Sequence, residues 1–237
     1  HSAGSVDDAL VQNQSLARIS RVVAPKLHGA LSLENAVSSH AREGPGLDFF
    51  VSYSSISALV GTAGQSNYAA ANAAVDCVME ERKRRGEMGL SIQWGAWRDV
   101  GMAAAIGADA TAETSGYGSI GIQDGTATLY SLLSQMRESR TQRVHLRDRE
   151  SASVLATPLD IDVLRRRRFE DHPSIIQHLL ESSPKHSEQC GQSTIDNEGS
   201  SSAGLIPQAV TRYAGMDPGK RRSEILSLVL KCATAVI

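Results

Sequence analysis

Phe50-Val-Ser-Tyr-Ser-Ser-Ile-Ser-Ala-Leu-Val-Gly-Thr-Ala-Gly-Gln-Ser-Asn-Tyr-Ala-Ala-Ala-Asn-Ala-Ala-Val-Asp76 is the stretch on which the fold turns. Leu47 to Tyr53 is a short apolar, β-rich run that follows Gly44-Pro45-Gly46, and it predicts a strand. Asn67 to Arg84 is dense in alanine and closed by Gly86, which predicts a helix. The segment therefore reads strand, turn, helix. Ser54 and Ser55 stand at the strand end and Tyr68 at the helix start. Asn72 lies one turn beyond Tyr68 on the same helical face. In a parallel sheet, a strand end and the following helix start meet at the carboxyl edge, where doubly wound folds place their ligands.

Working outward, residues 15–40 carry Leu16, Ile19, Val22, Val23, Leu27, Ala30 and Leu31 at helical spacing. Leu90 to Trp94 predicts a second strand, residues 123–137 an amphipathic helix, and Arg143 to Leu146 a last short strand. Strands separated by helices predict an α/β fold, with a Rossmann-like parallel sheet covered by helices on both faces. This places a first domain over residues 1–150. Beyond it the periodicity weakens. The run Arg165 to Arg168 is read as a solvated helix or turn. Residues 184–204 have linker composition, so residues 151–206 are expected to be a mostly disordered linker. A helical pattern resumes in residues 207–237.

Composition narrows the function classes. A formal net charge of −2 gives no strong pull toward nucleic acid or an anionic membrane surface. Cys77, Cys190 and Cys232 fit no metal-ligand or disulfide spacing, so no metal site is expected, and a reducing, cytoplasmic setting is. No apolar run approaches the ~20 residues of a membrane span.

The segment from Phe50 to Asp76 resembles the ketoreductase core of modular polyketide synthases, a branch of the short-chain dehydrogenase/reductases. Three more segments resemble the same family in its order. His1-Ser-Ala-Gly4-Ser-Val-Asp7-Asp8 is similar to its His-Ala-Ala-Gly…Leu-Asp-Asp loop, with Val6 in place of the leucine. Ala24-Pro-Lys26-Leu-His-Gly-Ala30 is similar to a helix end, and Trp94-Gly95-Ala-Trp97-Arg-Asp-Val-Gly-Met102 to its Trp-Gly-x-Trp…Gly-Met segment. The resemblance covers residues 1 to about 147. Taken singly, a helix-start tyrosine or a helix lysine is an ordinary surface or packing residue; the joint spacing changes that reading.

The resemblance implies NADPH-dependent reduction of a β-ketoacyl thioester. It assigns Lys26, Ser55, Tyr68 and Asn72 as catalytic. The family's serine precedes its tyrosine by thirteen residues, and 68 − 55 = 13 selects Ser55 over Ser54. Asparagine at the fourth position after the tyrosine, with the lysine on an earlier helix, is the polyketide-synthase pattern. Tyr68 is then the proton donor, and Ser55 hydrogen-bonds the developing oxyanion. Lys26 is expected to draw the tyrosine pKa down from about 10 and to hold the cofactor ribose. Asn72 would position a water. Lys26, Tyr68, Gly95 and Gly4 are the expected cofactor-binding residues, with Gly95 letting the backbone approach the nicotinamide. Asp8, Trp97 and Met102 are the expected substrate or stereochemistry residues, and Asp8 implies a B-type enzyme giving the D-hydroxyl. Trp97 reads equally well as a core residue. Gly116 to Ile122 resembles a mobile lid.

No Gly-x-Gly-x-x-Gly after a strand occurs, so the dinucleotide phosphate loop is expected upstream of His1, and the segment alone is expected to bind cofactor weakly. Residues 207–237 resemble the start of an acyl carrier domain. The carrier domain and neighbouring synthase domains are the expected partners. The alternatives are a standalone reductase of another substrate and an inert reductase-like segment with a docking role.

Overall fold

The computed structural model describes residues 1–40, 47–98, 100–105, 107, 115–141, 151–166 and 172–182. The expected strand Arg143 to Leu146, the residues 184–204 and the carrier-like residues 207–237 lie outside the described residues.

Helix α1 (Leu16–Val23) is capped by Ser15, whose side chain accepts from the Arg18 backbone N–H. It runs into a π-helical turn, Ala24–His28, and then into α2 (Gly29–His40). Pro25 lies within that turn and has no N–H to give to the preceding turn of helix, so the expected helix continues through residues 16–40 but widens there to a π-turn. Strand β1 (Val51–Ser55) starts later than the apolar run suggested. A short helix α3 (Ser57–Val60) follows, then α4 (Ser66–Arg84), which Gly86 leaves at a positive φ of 80°. Strand β2 (Leu90–Trp94), the short α5 (Gly101–Ala105) and the long α6 (Ile122–Thr141) come next.

The sheet is parallel, in the order β1-β2-β3, with β3 at Ser153–Ala156. This differs from the sequence reading, which ended the first domain at residue 150 and left 151–206 as linker. The third strand is four residues long, too short to announce itself by periodicity. Its pairing of Val154 with Ile92 and Ala156 with Trp94 is what makes it a strand. After it, α7 (Ile161–Arg165) and α8 (Ser174–Ser182) bury Leu164, Ile176 and Leu180 against Val60, Tyr117 and Leu159. On the other edge of β1, the backbone of His1 pairs with Val51 and Tyr53 at 2.7 and 2.9 Å.

Register decides what each face carries. Ser52 pairs with Ser91 and Ser54 with Gln93; Tyr53 pairs with Ile92 and Ser55 with Trp94. Because side chains alternate along a strand, Tyr53, Ile92, Trp94 and Val154 share one face. They pack with Leu129, Leu132 and Met136 of α6. Ser52, Ser54, Ser91 and Gln93 share the other face, under α4. Helices thus cover both faces, as expected. At the far end of the α4 side, Phe50, Met79 and Ala152 form an apolar cluster.

Candidate active site

Three elements converge at the carboxyl end of β1. The strand ends in Ser55, α4 begins two residues before Tyr68, and the π-turn delivers Lys26. The structure brings together Lys26, Ser55, Tyr68 and Asn72.

Lys26 is only 3% exposed, and its ammonium donates to the Tyr53 carbonyl at 2.7 Å. It lies 5.8 Å from the centre of the Tyr68 ring. The carbonyl of Lys26 itself is hydrogen-bonded by the His1 imidazole at 2.8 Å, which ties the π-turn to the start of the chain. Burial lowers the Lys26 pKa from 10.5 to about 8, and the charge of Asp76 opposes that lowering. A displacement of that size means roughly 3 kcal/mol is spent holding the ammonium charged in this interior. An ammonium has three donors, and one is given to Tyr53. Gly4 lies beside it: a Cβ there would stand 3.5 Å from the Lys26 Nζ and 3.8 Å from the Met102 Cε. A buried cation with donors to spare, bordered by bare backbone, fits the hydroxyl-rich ribose of a nicotinamide nucleotide.

Tyr68 is half-buried, with the side chains of Ser55 and Asn72 facing its phenol. Burial pushes its pKa up, and the hydrogen-bonding influence of Asn72 and Ser55, which favours the phenolate, does not overcome it. This differs from the expectation that Lys26 draws the phenol toward neutrality. The Lys26 ammonium is turned to a backbone carbonyl, and desolvation dominates at the phenol. Ser55 Oγ accepts from the Ser57 N–H at 3.2 Å and its hydroxyl at 2.9 Å, which fixes the serine at the strand end. Asn72 is fully buried. Its amide donates to the Tyr68 carbonyl at 2.8 Å, and its Oδ1 has no partner among the described residues. An orphaned acceptor at this depth suits a bound water.

The loop before α1 reaches the same edge. The Asp7 carboxylate is held by Arg18 and Arg21, and its carbonyl accepts from the Asn67 side chain at 2.9 Å. Asp8 is exposed, accepts from Gln65 at 2.9 Å, and its charge acts on Tyr68. Two expected residues have packing duties here. A Cβ at Gly95 would overlap the Thr157 side chain, so the missing side chain makes room for β3's exit loop rather than visibly for a ligand. Trp97 stacks edge-on with Trp94 at 5.0 Å and fills the space above Gly125 of α6, which favours the core reading. The lid-like segment is tied down at two points, by bridges from Ile120 to Trp97 and from Tyr117 to Leu159.

The sequence reading missed a polar layer beneath α4. Asp76 is 8% exposed and accepts from Ser91 Oγ at 2.5 Å and Gln93 Nε2 at 2.7 Å, with Ser54 also favouring its ionised form. The signal was there: positions 68, 72 and 76 recur every four residues along one helical face, and Ser91 and Gln93 alternate in a strand expected to be buried.

Residues 1–99 match the model of the KR domain family. The chain is 44% identical over 104 residues to mellein synthase of Phaeosphaeria nodorum, which covers 44% of this chain and 6% of that protein. It is 38% identical over 173 residues to phthioceranic/hydroxyphthioceranic acid synthase of Mycobacterium bovis, covering 71% of this chain and 8% of that one. The chain thus spans less than a tenth of either relative. Among solved structures, the first ketoreductase of the tylosin polyketide synthase superposes with a TM-score of 0.55 at 30% identity, over 69% of this chain and 32% of that one. A structure of A-type ketoreductases from a modular polyketide synthase gives 0.58 at 28%, over 69% and 30%. Family match, relatives and superposed folds point the same way: residues 1–99 match the KR domain family, and the chain is similar in sequence and fold to part of polyketide-synthase ketoreductases of the short-chain dehydrogenase/reductase type.

Proposed function

We propose that this segment is the catalytic part of a ketoreductase that reduces a β-ketoacyl thioester, carried on an acyl carrier domain, to the β-hydroxyacyl thioester with NADPH. The observation that carries the reading is a buried Lys26 ammonium gathered with Tyr68, Ser55 and Asn72 at one sheet edge. Lys26 and Tyr68, with the bare backbone of Gly4, would hold the nicotinamide riboside. A bound NADPH supplies the hydride. The Tyr68 Oη–H bond breaks as its proton passes to the ketone oxygen, and Ser55 donates to that oxygen as charge develops. Burial keeps the Tyr68 phenol protonated before turnover. Water held at the free Oδ1 of Asn72 would return the proton. The likeness of Val6-Asp7-Asp8 to the family's Leu-Asp-Asp loop is what supports the B-type, D-hydroxyl assignment of Asp8. Met102, 39% exposed beside Gly4, is placed to touch substrate. The likeness to multidomain synthases supports neighbouring synthase domains as partners.

The test is an assay of the full-length ketoreductase for NADPH oxidation with a β-ketoacyl thioester, followed by chiral analysis of the product. Turnover that Tyr68→Phe lowers about 10²–10⁴-fold, giving the D-hydroxyl, supports the reading. Absence of turnover on every β-keto thioester overturns it, and an L-hydroxyl product overturns the Asp8 assignment.

A further inference from the structure

We propose that Asp7 is a positioning residue for substrate orientation: clamped by Arg18 and Arg21 on one side and by Asn67 on the other, it fixes residues 4–9 as the wall that borders Lys26 and Tyr68. The inference rests on the ketoreductase reading above, and not on which hydroxyl the enzyme makes.

Residues 2–10 have no regular structure, yet the segment lies against the site at both ends. Near its start, a Cβ at Gly4 would stand 3.5 Å from the Lys26 Nζ and 3.8 Å from the Met102 Cε. Near its end, the Asp7 carbonyl accepts from Asn67 Nδ2 at 2.9 Å, and Asn67 directly precedes Tyr68. Asn67 is 1% exposed, and its Oδ1 accepts from the Tyr68 N–H at 2.8 Å. One buried amide therefore joins the loop to the start of α4. A ligand lying between Lys26 and Tyr68 has this loop as its border.

A loop outside helix and sheet keeps its place through bonds to its neighbours. Asp7 stands at the middle of those bonds. Its carboxylate is 11% exposed, with Arg18 on Oδ1 and Arg21 on Oδ2. The two arginines are three residues apart on α1, so one helical face presents both. Each serves the loop a second time. Arg18 donates to the Asp8 carbonyl at 3.3 Å, and the Arg21 carbonyl accepts from Ser5 Oγ at 2.9 Å. Beyond Asp7, Gln65 donates to the Asp8 carboxylate at 2.9 Å, and the Ala9 N–H to the Gly64 carbonyl at 2.8 Å. A single exposed ion pair contributes little. A carboxylate with both oxygens held by one helix, on a residue whose carbonyl is held by another, determines where the backbone between the helices lies. The reaction is sensitive to that position, because a reactant displaced by ~1 Å can lose about 10²-fold in rate. A ketone that presents its other face to the hydride gives the hydroxyl of opposite hand.

The test uses the full-length synthase that contains this segment, as wild type, as Asp7→Asn, as Asp7→Glu, and as the pair Arg18→Gln with Arg21→Gln. Each reduces a β-ketoacyl thioester with NADPH. The readouts are the ratio of the two β-hydroxy products of opposite hand, KM and kcat, and hydrogen exchange of peptides covering residues 1–15 and 66–84. Asp7→Asn keeps the shape and removes the charge, and it should lower the product ratio about tenfold. Exchange should quicken in residues 1–15 and stay unchanged in 66–84. The arginine pair should lower the ratio by a like factor, and adding Asp7→Asn to it should lower the ratio no further, because all three act through one clamp. Asp7→Glu, which restores the charge, should recover most of the ratio. A role confined to stability would slow both products alike and leave the ratio where it was. If Asp7→Asn does not fold, the arginine pair decides in its place, since both side chains are exposed, at 39% and 64%. An unchanged ratio in whichever variant folds, or a wild type that makes both hands equally, overturns this proposal alone. A wild type that reduces no β-keto thioester overturns the ketoreductase reading and this proposal with it.

Discussion

The two faces of this three-stranded sheet are built on opposite terms. Under α6, Tyr53, Ile92, Trp94 and Val154 pack against Leu129, Leu132 and Met136. Under α4, the same strands present Ser52, Ser54, Ser91 and Gln93 to Asn72 and Asp76. The first face supplies stability through burial. The second holds two charges, on Lys26 and Asp76, in an interior that disfavours both. The difference teaches that half of this domain's core is there to hold the site, and the other half offsets the cost.

The largest effect that would separate the faces is Ile92→Ala. Ile92 is fully buried, and its loss should cost about 2–5 kcal/mol in a denaturant titration, with KM for any substrate little changed in the folded fraction. If turnover falls further than the folded fraction does, the division between the faces is wrong.

A second prediction concerns pH. Asp76 is raised from 3.8 to about 6, so its contribution is fully present below about 4 and is lost as pH rises through 6. That loss amounts to roughly 3 kcal/mol. Lys26 is lowered from 10.5 to about 8, so its contribution is present above 10.5 and lost as pH falls through about 8. Local stability of α4, read by hydrogen exchange corrected for intrinsic rate, should therefore decline between pH 4 and 6. Asp76→Asn should flatten that decline, and an unaltered slope would place the titrating group elsewhere.

Gly95→Ala comes next. Its methyl would overlap the Thr157 side chain, costing about 1–3 kcal/mol, and Thr157→Gly in the same chain should recover most of the loss. Weakened NADPH binding with unchanged stability would restore the view that Gly95 serves the nicotinamide.

The smallest expected effect is Ser54→Ala. It removes one hydroxyl that favours the Asp76 carboxylate, so the Asp76 titration should rise and stability at pH 7 fall by about 1 kcal/mol. A larger loss would show that the bond from Ser54 to the Asn72 carbonyl, rather than the carboxylate, is what the serine serves.

Much of the architecture was legible from local chemistry. Gly86 stops α4 because it adopts a positive φ, and the alanine-rich run before it could do little but form a helix. The spacing from Ser55 to Tyr68 and Asn72 was a matter of counting, because a strand end, one turn and a helix start fix the separation of their side chains. Local pattern also placed β1, α4, β2 and α6 to within a few residues.

What the chain could not announce depends on partners distant in sequence. Ser153–Ala156 is a strand only because β2 lies beside it. Ser91 and Gln93 read as ordinary polar residues until the register with Ser52 and Ser54 puts all four under α4. Lys26 was marked by its motif, yet its burial and its bond to the Tyr53 carbonyl follow from a π-turn docking against a strand 27 residues away. Periodicity and spacing settle which way a segment folds, because those forces act within a few residues. Tertiary packing settles which polar groups lose their water, and only that loss moves a lysine and an aspartate from their ordinary titration.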